Sequence, residues 1–250
     1  MLILLPPSET KRSGGDGGAL DLRRLALPSL TPQREATLTA LEALSRDAAT
    51  AARILRLGAR QLGEIAVNAG IRTSPTLPAI DRYTGVLYDA LGAASLDSRA
   101  RSWIGRHVMI HSAALGPVGA LDPIPAYRLA AGVSLPGIPP LRRLWADAVG
   151  AALTQAAPRL VLDLRSESYV ALGPVPAALP SAYLRVMTEG SDGVTRALNH
   201  FNKRAKGEFV RTLATQRPRL GSLAAMRRWA ADAGWTIRDG PAGEWRLSAD

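Results

Sequence analysis

The chain has 250 residues, 47% hydrophobic and 21% charged, with no cysteine and a formal net charge of +10. That composition suits one buried core and is too apolar for an intrinsically disordered chain. The missing thiols exclude disulfides, thiolate nucleophiles and cysteine-ligated zinc or iron–sulfur sites. No apolar run approaches the eighteen or so residues of a bilayer span, and Leu2–Leu5 is too short for a signal-peptide core, so a soluble, cytoplasmic protein is expected.

Positive charge is unevenly carried. Of 31 basic residues only Lys11, Lys203 and Lys206 are lysine. From Arg196 to Arg228 nine cations face one acid, Glu208, a local excess of 9 − 1 = +8. Such a block is either a solvated helix face or the footprint of a polyanionic partner, most simply nucleic acid.

Leu2–Leu5 predicts a buried strand stopped by Pro6-Pro7. Ser8, Glu9, Thr10 and Lys11 then fall just past a strand end, where open sheets place ligand-binding groups. Residues 13–18 form a glycine-rich loop without the spacing of a P-loop. Thr31-Pro32 starts a helix with Leu38, Leu41 and Leu44 as its apolar stripe, and helical character runs on to Leu57. Gly58 is a break, and Gln61–Ala69 makes a second short helix ended by Gly70. These pieces read either as a helix-hairpin-helix-like element that presents backbone amides to a DNA phosphate or as an ordinary helical hairpin.

Ile80–Leu91 is predicted as a third helix, with Gly85 marking a close backbone approach. His107–His111 reads as a strand, which holds the two imidazoles on one face roughly 13 Å apart, too far to share a metal. Were it a helix, the spacing would permit a site. No metal or cofactor is expected. Ala113–Ala126, punctuated by Pro117, Gly119, Pro123 and Pro125, predicts an irregular connection of the kind that often carries function. Leu141–Leu153 has the clearest helical spacing, started by Pro139-Pro140.

Leu160–Leu164 is a second buried strand, followed by the polar cluster Ser166-Glu167-Ser168-Tyr169. Tyr183–Met187 is a third, Glu189–Gly193 a turn, and residues 194–201 are open between strand and helix. Lys203–Ala214 and Leu223–Ala233 predict helices, and Trp235–Arg238 with Glu244–Leu247 a closing hairpin. Strands alternating with helices argue an α/β fold: a single compact domain over residues 1–250, with helices surrounding a mixed β-sheet.

Two chemistries fit these residues. Ser8, Lys11, Tyr127, Arg128, Ser166, Glu167 and Tyr169 would converge in one cleft, where a lysine serves a serine as base, a glutamate moves protons and an arginine holds phosphate. That reading is an enzyme, a transferase or hydrolase, acting on a phosphate-bearing or nucleotide-like small molecule. In the other reading Lys11, Lys203, Arg204, Lys206 and Arg211 contact phosphates of double-stranded DNA or another polyanion without reading bases. Only Phe201 and Phe209 lie near these cations, which disfavours a single-strand stacking platform.

Six segments occur in a telling order. They are residues 1–11 (MLILLPPSETK), residues 83–88 (YTGVLY), Leu121-Asp122 with Tyr127-Arg128-Leu129, residues 144–147 (LWAD), Leu162-Asp163-Leu164 with residues 166–169 (SESY), and residues 203–207 (KRAKG). On these the chain resembles the YaaA-type peroxide-stress-resistance family nearly end to end. The resemblance implies a mixed α/β fold with a positively charged cleft and a helix-hairpin-helix-like element. It also implies binding of duplex DNA and protection against oxidative damage by keeping free intracellular iron low. With three histidines and no cysteine, an effect on iron is expected to be indirect. The chain departs from the family at residues 111–116, where relatives tend to carry a Ser-Gly-Leu-Tyr-Gly-like stretch.

Overall fold

Four consecutive apolar residues, Leu2–Leu5, form strand β1, and all four are buried. Burial without alternation means that both faces of the sheet are covered there. The computed structural model, which describes residues 1–186, 188–189, 195–196, 199–241 and 244–249, places β1 centrally in a seven-stranded sheet. The strands in chain order are β1, β2 (Leu77–Pro78), β3 (Val108–Ser112), β4 (Gly116–Gly119), β5 (Pro123–Ile124), β6 (Val161–Asp163), β7 (Ser181–Val186), β8 (Thr188–Glu189), β9 (Thr195–Arg196), β10 (Trp235–Asp239) and β11 (Glu244–Ala249).

The main sheet runs β10-β11-β7-β6-β1-β3-β4, while β2 pairs with β5 and β8 with β9. Its five inner strands are parallel, and an antiparallel partner closes each edge: β4 on β3 and β10 on β11. This is the expected mixed α/β sheet. From β1 the chain first builds outward to β3 and β4, then returns to lay β6 on β1's other side. The carboxyl ends of β1 and β6 therefore flank a topological switch point, the place where open α/β sheets leave a crevice.

The helices are α1 (Thr31–Leu44), α2 (Ala48–Leu55), α3 (Gly63–Ala69), α4 (Ala79–Arg82), α5 (Val86–Leu91), α6 (Ser98–His107), α7 (Leu141–Ala156), α8 (Glu167–Val170), α9 (Asn199–Gln216) and α10 (Leu223–Asp232). They pack in two groups, α1 with α2, α3 and α7, and α9 with α5 and α6. Gly207 fixes the second packing, since a Cβ there would run into the Leu87 carbonyl oxygen and stand 2.9 Å from Ala90 Cβ. None of the described helices is long and apolar enough to cross a membrane.

Three sequence expectations need correction. The stretch Ile80–Leu91 is two helices, because Gly85 adopts φ +95°, outside the helical region. The break lets Thr84 N–H donate to Thr10 O and brings residues 83–85 against Ser8 and Thr10. Second, His107 ends α6 and only His111 lies on β3, so the two do not share a strand face. Third, residues 113–126 are not an irregular connection throughout: they hold β4 and β5, and Ala113–Ala120 are wholly buried.

That burial is made tolerable by arginine. Arg34, fully buried, donates to the carbonyls of Ala26, Leu115 and Pro117, and Arg82, equally buried, donates to those of Arg12, Pro75 and Ile124. Each guanidinium satisfies backbone acceptors that proline-rich segments leave outside regular ladders. The predicted turn at Glu189–Gly193 lies mostly outside the described residues. Of the stretch left open between strand and helix, residues 195–196 are strand and α9 begins at Asn199.

Candidate functional site

The chain leaving β1 turns at Pro6-Pro7 and carries Ser8, Glu9 and Thr10 to one side of a cleft of about 860 Å³. The chain leaving β6 carries Ser166, Glu167, Ser168 and Tyr169 to the same cleft, and α9 adds Asn202, Lys203 and Lys206. Residues 84–88 and 130–132 complete the wall, with Tyr183 and Arg185 from β7. The two segments past the strand ends and the late cationic helix thus face one concavity.

Lys206 is the most constrained group in it. Its side chain is only 6% exposed, its Nζ donates to Leu164 O at 2.8 Å, and it stands 5.9 Å from the Tyr183 ring centroid. Burial pulls its pKa down to about 8, with Arg185 adding to the fall and Asp163 opposing it. Lys203, one turn earlier, is exposed, and no ion pair or hydrogen bond holds it among the described residues. Asn202 Oδ1 is buried in the same region without a hydrogen-bond partner.

Hydroxyls come in two pairs, Ser8 Oγ with Thr10 Oγ1 at 3.2 Å and Ser166 Oγ with Ser168 Oγ at 3.1 Å. Although Ser166 is the residue before α8, its side chain makes no capping bond. Arg185 is engaged by Glu167 at 2.8 Å and by Glu244 at 3.1 Å, which raises its pKa. Among lining residues three cations, Arg185, Lys203 and Lys206, meet two carboxylates, Glu9 and Glu167, so the formal sum is 3 − 2 = +1.

Lys11, Tyr127 and Arg128 sit behind the wall rather than on it. Lys11 Nζ donates to the carbonyls of Ser8 and Glu9 at 3.0 and 3.3 Å and lies over the Tyr127 ring, 4.2 Å from its centroid. Desolvation, with Arg128 next in weight, brings its pKa down to about 7. Tyr127 is buried in a chain of hydroxyls, 2.9 Å from Tyr83 and accepting from Ser112 at 2.8 Å. Arg128 pairs with Glu9 at 3.0 Å. These three brace the Ser8–Thr10 segment from below. Arg204 points to solvent and pairs with Glu208 one turn on, while Arg211 closes the end of α5 by donating to Leu91 O and Gly92 O.

Sequence reasoning named Thr10 and Ser168 only as members of the polar clusters past the strand ends; it missed Tyr183, Arg185 and Asn202, and it missed what holds the floor. Asp163, the last residue of β6, forms a fully buried ion pair with Arg165 at 2.6 Å. Arg165 in turn donates to His111 Nδ1 at 2.7 Å and to Gly173 O at 2.9 Å. The accepting Nδ1 makes His111 a neutral imidazole protonated on Nε2, and burial keeps its pKa well below the usual range. The network fixes both ends of the segment that carries Ser166, Glu167 and Tyr169. The signal was there as an acid at a strand end followed two residues later by an arginine.

A mostly parallel sheet with hydroxyls and lysines gathered at its switch point defines an open α/β protein with a cleft at the place where such folds bind ligands. Comparison with known sequences places it further: residues 1–239 match the family described as peroxide stress protein YaaA, and the chain belongs to that family. A UPF0246 protein of Corynebacterium glutamicum (strain R) is 40% identical over 245 residues, covering 96% of either chain. Similar proteins are a UPF0246 protein of Corynebacterium efficiens, 42% identical over 95% of this chain and 94% of its own, and one of Streptomyces coelicolor, 42% identical over 85% and 82%.

Proposed function

We propose that the cleft of this peroxide stress protein binds a small phosphate-bearing molecule of nucleotide size, and that Lys206 exchanges a proton with it. One observation carries the reading: four hydroxyls, on Ser8, Thr10, Ser166 and Ser168, meet Lys203 and Lys206 at the carboxyl ends of β1 and β6. Hydroxyls donate to phosphate oxygens, Lys203 supplies a solvated charge, and an amine titrating near 8 gives or takes a proton close to neutrality. The near-balanced charge and the volume suit a compact ligand better than a long polyanion. Transferase or hydrolase chemistry fits this set, with Glu167 as a second proton carrier at the rim.

The test is calorimetric titration with nucleoside monophosphates. Saturable binding should weaken at least tenfold in Ser166→Ala and Lys203→Ala. Proton uptake on binding at pH 8–9 should vanish in Lys206→Met, since an anion beside Lys206 raises its pKa. Absence of saturable binding to any monophosphate ends the reading.

A second reading, duplex DNA binding, is favoured by the excess of cations between Arg196 and Arg228 and by the exposed turn between α2 and α3. It gives retention on DNA whose log affinity falls with log salt at a slope near −3.6, if about four phosphates are neutralised. It is lost in Lys203→Ala/Lys206→Ala, and salt-independent retention refutes it. Limitation of free iron belongs to this reading as an indirect effect in the cytoplasm. Among the described residues no three histidine or carboxylate side chains gather into a metal-binding group.

A further inference from the structure

At the other end of the sheet, where β1 and β3 begin, a second depression of about 510 Å³ opens beside Met1 and His107. Four arginines line it: Arg106 near the end of α6, Arg159 ahead of β6, and Arg217 and Arg219 just past α9. Among the described residues that line it there is no carboxylate side chain. Arg159 and Arg219 are exposed, without an ion pair or hydrogen bond among the described residues. Arg106 donates to Ser102 Oγ, and Arg217 comes within 3.8 Å of the Asp97 carboxylate. Some guanidinium groups elsewhere hold carboxylates: Arg72 holds Glu35 and Glu42, Arg101 holds Asp81, and Arg185 holds Glu167 and Glu244. Four like charges round one hollow repel one another until an anion enters.

Arg217 closes α9 with its N–H donating to Leu213 O at 2.8 Å and adopts φ +51°, the left-handed conformation that glycine ordinarily supplies at a helix end. Arg56 and Ala157 end α2 and α7 in the same conformation; at Arg217 the residue so placed lines the depression.

We propose that this depression is an anion site separate from the cleft, built for a compact polyphosphate group, the di- or triphosphate moiety of a small molecule. Guanidinium forks pair with phosphate oxygens two at a time, and converging forks match a short chain of phosphates. A duplex spreads its phosphates along two extended strands, whereas four arginines round one depression present their charge to a single compact group. Neither Arg106 nor Arg159 belongs to the cation-rich stretch of the sequence; folding alone brings them to Arg217 and Arg219.

The experiment is titration with sodium tripolyphosphate, ATP and a short DNA duplex, on the wild-type protein, Arg159→Ala/Arg219→Ala and Lys203→Ala. Saturable tripolyphosphate binding is expected, at least tenfold weaker in the double arginine variant and unchanged in Lys203→Ala. Binding of ATP by the same arginines assigns the site to nucleotide phosphates, and exclusion of ATP with tripolyphosphate retained assigns it to free polyphosphate. Both altered arginines are exposed, and a melting transition equal to the wild type's confirms that the variant is folded. No saturable tripolyphosphate binding, loss in Lys203→Ala alone, or loss of duplex binding alone in the arginine variant each overturns the site.

Discussion

Replacing Lys206 by methionine separates the cost of burying a charge from everything else at the cleft floor. The folded amine titrates near 8 against 10.5 for an unhindered lysine, and at 6% exposure little solvent screens it. A difference of about 2.5 pKa units corresponds to roughly 3 kcal/mol. The sign follows from proton counts. Below pH 8 both states hold the proton and the folded protein bears the full penalty. Between pH 8 and 10.5 the unfolded state binds the extra proton, so stability rises with pH; above 10.5 it levels. Methionine carries no charge to bury but leaves Leu164 O without its donor, a loss of about 1 kcal/mol. Urea unfolding of both proteins from pH 7 to 10.5 should therefore show the variant ahead at pH 7 and behind at the alkaline end, their difference moving by roughly 3 kcal/mol. Lys11 and the tyrosines are common to both and cancel. A difference flat across that range would mean that Lys206 is solvated, and the argument for its proton chemistry would fail.

Gly207→Ala should push α9 off α5, at a cost of about 1–3 kcal/mol or a lowering of Tm by several degrees, since its Cβ meets the Leu87 carbonyl rather than a movable side chain. Asp163→Ala leaves the Arg165 guanidinium buried without its carboxylate, and urea unfolding should register a loss of about 3–5 kcal/mol. The Lys11 ammonium should titrate near pH 7 by NMR of its side-chain carbons; a midpoint above 9.5 would show that it is not desolvated over Tyr127.

The sequence displayed its central strands through apolar runs, Leu2–Leu5 unbroken and Leu160–Leu164 interrupted by Asp163 alone, because a strand covered on both faces carries few polar residues. Glycine was legible by half. Gly85 did mark a close approach, but its positive φ also cut the helix, and dihedral sign leaves no trace in hydrophobic spacing. Residues 113–126 misled because proline and glycine there report the absence of ladder bonds, while the donors that compensate, Arg34 and Arg82, lie dozens of residues away. The same holds at the cleft. Ser8, Ser166 and Glu167 were visible as polar residues past strand ends, and Lys203 and Lys206 as rare lysines, yet Arg185 sits inside a strand and announces nothing until β7 is laid beside β6.

Strand β1 lies in the interior of the sheet, and the residues it pairs with, Val108–Ile110 and Val161–Asp163, are encoded more than a hundred positions later. It leaves the ribosome long before either neighbour exists. An apolar ribbon with both edges unsatisfied must therefore wait, shielded by a chaperone or by provisional contacts, while most of the polypeptide is synthesised. Assembly of the central layer is in effect a late event, and any slowing of translation ahead of residue 161 should lengthen the interval in which the newborn chain is prone to aggregate.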